Sequence, residues 1–256
     1  MENFALSPVN KAPKILRSAK AMVEQIHRGV LDADEVIDAT RKFIVEGDGD
    51  IRAWKTLDWD QVEEQCKELT SRPNWRSLPL AAVPIAVKDV YDTANFVTSY
   101  GSKIYEHHRP SADAALVVML RALGAVVIGK TVTTEFAYWQ AGPTLNPYNH
   151  SRTPGGSSSG SAAAVAAGMV PLALGSQTAA STIRPASYCG IIGFKPSFGL
   201  LPVQGVKPLS PSLDTIGLFT RSIGDLIVVV NALLADTKLK QNSLHPGLKP
   251  LSLIHI

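Results

Sequence analysis

The stretch from Arg152 to Pro202 reads RTPGGSSSGSAAAVAAGMVPLALGSQTAASTIRPASYCGIIGFKPSFGLLP. Gly155 and Gly156 allow an unusual turn, and three serines follow them. The small residues of 161–167 predict a helix that packs closely against other backbone, and 170–174 predicts a buried strand. A second loop of small residues, GSQTAAS, follows that strand. Two clusters of backbone N–H groups and hydroxyls can therefore face each other.

The sequence on either side alternates between helical and strand-like patterns. Two blocks within residues 14–46 have helical periodicity, with Asp32 as the expected cap and Gly47 as the expected stop. Ser111 is the expected cap of a helix that leads into a buried strand at 125–128. The pattern predicts an α/β domain with a largely buried sheet. The other expected elements are a strand at 51–57, a helix at 60–72, strand-like runs at 80–90, 169–175 and 188–194, and a helix at 222–235 capped by Ser222.

Composition excludes several classes of protein. The 256 residues are 45% hydrophobic and 18% charged, which indicates a globular chain and not a disordered one. A net charge of +3 is too small for a dedicated nucleic-acid binder. Cys66 and Cys189 form neither a CxxC pair nor a disulfide framework, and no signal peptide or membrane span is evident, so we expect a cytoplasmic protein.

Two motifs have the sequence patterns of well-known sites but lack the surrounding secondary structure that those sites need. Residues 156–160 satisfy G-x-S-x-G, but a Pro-containing loop precedes them where a nucleophile elbow needs a strand, and His245 lies in an irregular tail. Residues 124–131 satisfy the P-loop pattern, but Ala-Val-Val-Ile is typical of a strand whose N–H groups belong to a sheet. We therefore expect neither a hydrolase elbow nor a nucleotide site.

Five segments of the chain together resemble the amidase signature family: GGSSSGSAAAVAAG, GSQTAAS, IRPASYCGIIGFKP, VPIAVKD and GKTVTTEFA. The likeness runs from about residue 14 to about residue 235. It implies a mixed central sheet covered by helices, and a triad of Lys88, Ser157 in a cis peptide and the nucleophile Ser181. It also implies an oxyanion hole made by the backbone N–H groups of Thr178, Ala179, Ala180 and Ser181.

Lys88 suits the role of a base. It ends an apolar strand, and partial desolvation there would lower its pKa toward the value of about 7 to 8 that a base needs near neutral pH. Ser157 would relay a proton from Ser181 to Lys88. Taken singly, each residue has another interpretation: Lys88 in an ion pair with Asp89, Ser157 in a turn, and Ser181 as a helix cap.

The GSQTAAS loop departs from the family pattern. Gln177 stands where the family usually has aspartate, Ala179 and Ala180 stand where it has glycines, and the arginine, Arg184, is displaced by one residue. If either alanine had to adopt φ > 0, strain of about 1 to 2 kcal/mol would arise in the oxyanion loop. Arg184 is expected either to brace the loop or to meet an anionic group of the substrate, and bracing is the favoured role.

Other reactive residues have weaker claims to a functional role. The neighbours of Cys189 indicate a buried structural thiol. His107 and His108 have no partners at metal-ligand spacing, so we expect no metal and no cofactor.

The expected organisation is a helical segment at 1–75, an amidase core at 76–236 and an irregular tail at 237–256. The family likeness implies the N-terminal portion of a longer enzyme, incomplete at its C-terminus. Residues 251–256, LSLIHI, match the translation of a common sequencing adapter and are interpreted as an artefact.

Three hypotheses on function remain. The first is a serine amidase that converts a carboxylic amide to acid and ammonia through an acyl-enzyme. The second is the glutamine amidase subunit of a tRNA-dependent amidotransferase, and the third is an inactive family fragment. The expected partner is a small-molecule amide, with no nucleic acid bound directly, no membrane, and a homodimer as an option for the full-length protein.

Overall fold

The computed structural model of the chain describes residues 12–235. The strands of this range are β1 (Trp54–Leu57), β2 (Pro84–Lys88), β3 (Val126–Thr131), β4 (Leu172–Gln177), β5 (Ile192–Phe194) and β6 (Thr215–Thr220). They form one sheet in the order β1-β3-β2-β4-β6-β5. β2 runs parallel to β3 and β4, whereas β1, β6 and β5 pair with their neighbours in antiparallel fashion, so the sheet is mixed as expected.

Helices cover the sheet. One packs on β3, a second contacts β2, β3 and β4, and the last described helix packs on β6 and β5. All residues of β2 and β3 are buried, which explains why these strands are continuous apolar runs without alternation. The helices are α1 (Ala19–His27), α2 (Ala33–Ile51), α3 (Trp59–Thr70), α4 (Ala115–Ala122), α5 (Ser159–Ala166), α6 (Ile183–Tyr188) and α7 (Ile223–Ala235).

Two helix ends differ from the expected positions. α2 continues through Gly47 to Ile51, and it ends where the side chain of Asp48 accepts a hydrogen bond from Ala53 N at 2.7 Å. α4 begins at Ala115 and not near Ser111, because backbone carbonyls from other segments accept the N–H groups at its start. At α4 tertiary hydrogen bonds replace the local signal, whereas the bond at the end of α2 is local and joins residues five positions apart.

Other expected ends are confirmed. Asp32 forms a capping box with Glu35 at the start of α2, and Ser222 Oγ accepts a hydrogen bond from Asp225 N at the start of α7. Residues 126–131 form a strand of the central sheet, so their N–H groups are not arranged as a P-loop.

Some expectations fall on residues outside the described range. These are the irregular tail at 237–256, with His245, and the interpretation of 251–256. Within residues 12–235, no helix combines the length and apolar character needed to cross a membrane.

Candidate active site

Lys88 is the last residue of β2, near the middle of the sheet, and its side chain is fully buried. Its Nζ donates to Ser157 Oγ at 2.7 Å and to Ser176 Oγ at 2.8 Å. Burial lowers the pKa of Lys88 from 10.5 to about 7, and the negative charge of Asp214 opposes that shift. Near neutral pH, a large fraction of this amine is therefore uncharged and able to accept a proton.

Asp89 does not pair with Lys88. It forms a buried ion pair with Lys130 of β3, at 3.3 Å between Oδ1 and Nζ, and accepts a 2.6 Å hydrogen bond from Ser99 Oγ. Lys130 Nζ also donates to Thr98 Oγ1 at 2.6 Å. The two buried lysines of the sheet thus have different surroundings, because Lys130 has a carboxylate partner and Lys88 has only hydroxyls.

Ser157 lies in the loop before α5, and the peptide bond between Gly156 and Ser157 is cis. The carbonyl of Gly156 accepts hydrogen bonds from Arg184 Nε at 3.1 Å and Nη2 at 3.0 Å. Ser157 O accepts a third from Thr134 N at 3.2 Å. Arg184 therefore braces the loop that carries Ser157, and not the GSQTAAS loop for which the bracing role is expected.

Ser181 lies in the loop between β4 and α6, and its side chain is almost buried. Its carbonyl accepts a hydrogen bond from Ser158 N at 3.3 Å, which joins the two serine-bearing loops. Within residues 12–235, the backbone N–H groups of 178–181 donate no hydrogen bond to another group of the chain. Such N–H groups are available to an oxyanion.

Gln177 has a structural role at this loop. Its Oε1 accepts hydrogen bonds from Thr182 N and Ile183 N, both at 3.0 Å, and so caps α6. Neither Ala179 nor Ala180 has a positive φ, so the strain considered for glycine-to-alanine replacement in this loop does not arise. The loop adopts its shape without glycine at these two positions.

Thr178 connects the loop to a neighbouring segment. Its Oγ1 donates to Asp214 Oδ1 at 2.5 Å, and Asp214 Oδ2 accepts from Leu209 N at 2.8 Å and Ser210 N at 2.9 Å. A cavity of about 130 Å³ lies here, with Ser176 among its lining residues. The cavity therefore borders both the hydrogen-bond partner of Lys88 and the first residue of the expected oxyanion loop.

Sequence reasoning does not predict the contacts that Ser176 and Asp214 make at this site. Ser176 lies within GSQTAAS, and a small polar residue at the end of a strand was the available signal. Nothing in the local sequence of Asp214 indicates contact with a loop 36 residues away.

The cysteines and histidines lie apart from this arrangement. Burial raises the pKa of both Cys66 and Cys189 to about 12, which suits inert thiols. His107 is exposed and faces Glu106 at 3.4 Å. Among the side chains of residues 12–235, no cluster of three His, Cys, Asp or Glu could hold a metal ion.

Known proteins similar to this chain include the following three. A glutamyl-tRNA(Gln) amidotransferase subunit from Carboxydothermus hydrogenoformans is 39% identical, over 84% of this chain and 46% of that protein. The peptide amidase of Stenotrophomonas maltophilia has a TM-score of 0.78 and 34% identity, over 84% of this chain and 47% of that one. A 6-aminohexanoate cyclic dimer hydrolase has a TM-score of 0.76 and 30% identity, over 85% of this chain and 46% of that one. The chain thus spans under half the length of these proteins.

The expectation about partners is wrong. From the sequence we expect a small-molecule amide and no nucleic acid, yet several curated relatives at 37–39% identity are subunits of an enzyme named for glutamyl-tRNA(Gln). Net charge fails as a criterion here because it reports only on the basic surface of the chain itself. It carries no information about a tRNA held by an assembly of several subunits.

The sequence profile of the family described as Amidase matches residues 35–251, which is most of the chain. The resemblance drawn from the five segments is therefore confirmed. This chain belongs to the Amidase family, whose solved members with the same fold hydrolyse C–N bonds.

Proposed function

We propose that this chain carries the glutamine-hydrolysing centre of a tRNA-dependent amidotransferase. In this role it releases ammonia from the side-chain amide of glutamine for use by a partner subunit. The names of the curated relatives support this proposal over that of an independent amidase. The reaction would take place in the cytoplasm, the location expected from the sequence.

The observation that carries the chemistry is the contact between Lys88 and Ser157. The Lys88 amine is fully buried, has a pKa of about 7 and lies 2.7 Å from the hydroxyl of Ser157. The loop that carries Ser157 is joined to the Ser181 loop by the hydrogen bond from Ser158 N to Ser181 O. A neutral amine can take a proton from that hydroxyl while the hydroxyl takes one from Ser181. This gives Ser181 an oxygen that can attack a carbonyl carbon.

The proposed reaction has two halves. Ser181 Oγ forms a bond to the amide carbon, its proton passes through Ser157 to Lys88, and the carbonyl oxygen becomes an oxyanion held by N–H groups of 178–181. The C–N bond then breaks, the proton returns from Lys88 through Ser157 to the leaving nitrogen, and ammonia departs. Water attacks the acyl ester by the same proton route, and glutamate and free Ser181 result.

The test is ammonia release from glutamine labelled with ¹⁵N at the amide, with and without the partner subunits of a related amidotransferase. We expect Ser181→Ala and Lys88→Ala each to lower the rate at least about 10³-fold, as loss of a triad member does elsewhere. Ser187→Ala, an exposed serine of α6, is the matched control and should be unaffected. Hydroxylamine should trap the acyl-enzyme as a hydroxamate. Wild-type rates in both triad variants would contradict the mechanism.

A stand-alone amidase is the second candidate. The likeness to a peptide amidase, with a TM-score of 0.78, favours it. Ammonia release from simple primary amides or peptide amides, but not from glutamine, would support this candidate. No release from any amide would support the hypothesis of an inactive family fragment.

A further inference from the structure

Lys207 lines the 130 Å³ cavity beside Ser176, Thr178 and Asp214. Its ammonium nitrogen lies 5.2 Å from the ring centroid of Tyr100. The centroids of two further rings, those of Tyr105 and Phe136, lie at 5.1 and 5.9 Å. Three aromatic rings thus hold one cation at the edge of the candidate active site.

The rings restrain Lys207 without neutralising it. A cation over an aromatic face is attracted by the quadrupole of the ring, which carries no net charge. Within residues 12–235, Lys207 forms no ion pair and its Nζ donates no hydrogen bond. Its three N–H donors and its positive charge therefore remain available to a ligand.

The carboxylate of the same cavity is already occupied. Asp214 Oδ1 accepts a hydrogen bond from Thr178 Oγ1, and Oδ2 accepts from the N–H groups of Leu209 and Ser210. Asp214 thus holds the cavity wall in place, whereas Lys207 has no acceptor among the described residues. Of the two charged residues that line the cavity, only Lys207 has no partner among the described residues, and its charge is positive.

We infer that Lys207 binds the carboxylate of an amide substrate whose scissile amide lies at Ser181, which makes it a residue that determines substrate specificity. This inference rests on the proposed function, and it adds that the substrate bears a carboxylate remote from the amide. The cavity is smaller than the range of about 300–1,000 Å³ typical of drug-sized ligands, so it suits a group of the size of an amino-acid side chain. Glutamine meets both requirements.

The experiment compares two amides of the same chain length. Glutaramate, H₂N–CO–(CH₂)₃–COO⁻, bears the carboxylate, and pentanamide has a methyl group in its place. Binding of each is measured by calorimetry to a chain that carries Ser181→Ala, so the result does not depend on turnover. Lys207→Met keeps an apolar stem against the rings and removes the charge, Lys207→Arg keeps the charge, and Lys103→Met changes an exposed lysine outside the cavity.

We expect Lys207→Met to weaken glutaramate binding about 10- to 100-fold, the loss typical of a charged hydrogen-bonded contact, and to leave pentanamide binding unchanged. Lys207→Arg should recover part of the affinity, and Lys103→Met should have no effect. In the active chain the same change should raise KM for glutaramate and leave kcat within about twofold.

Two results would overturn the inference: equal binding of glutaramate by Lys207→Met, or no binding of glutaramate by the Ser181→Ala chain. A chain that hydrolyses no amide and yet binds glutaramate through Lys207 would contradict the proposed function and support this inference. If the Lys207→Met chain hydrolyses glutamine with an unaltered KM, the result would support the proposed function and contradict this inference.

Discussion

Lys88 is the residue whose protonation should set the pH dependence of ammonia release. Burial lowers its pKa to about 7, and only the neutral amine can accept a proton from Ser157. We therefore expect kcat/KM to rise about tenfold per pH unit below pH 7 and to level off above it. The measurement is ammonia release from pH 5.5 to 9. A profile that rises only near pH 10 would mean that Lys88 is not desolvated.

Asp214 provides the control for this profile. Its negative charge raises the pKa of Lys88 against the effect of burial, so removing that charge should lower the pKa further. Asp214→Asn should move the inflection to lower pH. A shift to higher pH would show that the charge acts in another way.

Ser176 is a residue that the motifs do not single out, and it should matter for rate more than for binding. It accepts a 2.8 Å hydrogen bond from Lys88, so Ser176→Ala leaves the amine with Ser157 as its remaining hydrogen-bond partner. Loss of one such bond costs about 1 to 1.5 kcal/mol, and we expect kcat to fall about tenfold with KM little changed. Ser187→Ala is the control. An unchanged kcat would show that Ser157 alone orients the amine.

At the scale of elements, sequence patterns predict the strands of the parallel centre and fail where packing decides. Residues 126–131 and 84–88 are recognisable because both faces of each strand are buried. The sequence patterns do not predict β6 (Thr215–Thr220), although it is as long as β3 and lies between β4 and β5. A Cβ at Gly217 would come within about 2.1 Å of Thr182 Oγ1, so its glycine serves the close approach of the α6 segment.

The candidate site also contains some residues that sequence patterns predict and others whose contacts depend on packing. The motifs specify Lys88 and Ser157, because both lie within segments shared by the family, and the structure brings the two together at 2.7 Å. The contacts of Ser176 and Asp214 depend on how two loops meet in space, and no local pattern encodes that. The expected start of α4 is wrong for a related reason, since carbonyls of distant segments accept its first N–H groups, whereas α2 ends at a local cap formed by Asp48 and not at Gly47.

The cap of α6 gives a prediction for stability. Gln177 Oε1 accepts hydrogen bonds from two backbone N–H groups at the start of this helix, which begins two residues after Ser181. We expect Gln177→Ala to lower the free energy of unfolding by about 1 to 2 kcal/mol, as loss of a side-chain cap does. The measurement is chemical denaturation, with Gln25→Ala on the exposed face of α1 as control. Equal stability of Gln177→Ala and the unaltered chain would show that water satisfies these groups equally well.

Across the described part of the molecule, helices α1 and α7 pack against each other although they lie near opposite ends of the chain. α1 contacts α7, and Arg221 donates to the carbonyls of Val165 and Val170 and of residues near the start of the chain. β1 lies in the sheet beside β3, so residues before 75 contribute to the central layer as well as to its cover. Arg221 thus links α5, the helix that follows the Ser157 loop, to the first described residues.

The contact between α1 and α7 can be tested at Asp225. Its buried carboxylate accepts hydrogen bonds from Ser18 Oγ at 2.7 Å, Lys20 N at 2.9 Å and Ser222 Oγ at 2.8 Å, so it joins the starts of α1 and α7. Asp225→Ala leaves three donors without their acceptor, and we expect a loss of about 3 kcal/mol and a fall in Tm of roughly 6–12 °C. Hydrogen exchange should show α1 and α7 losing protection together, because each is held by the same carboxylate. Asp38→Ala, on the exposed side of α2, is the control. Loss of protection in α7 alone would mean that α1 is held by its apolar contacts and not by Asp225.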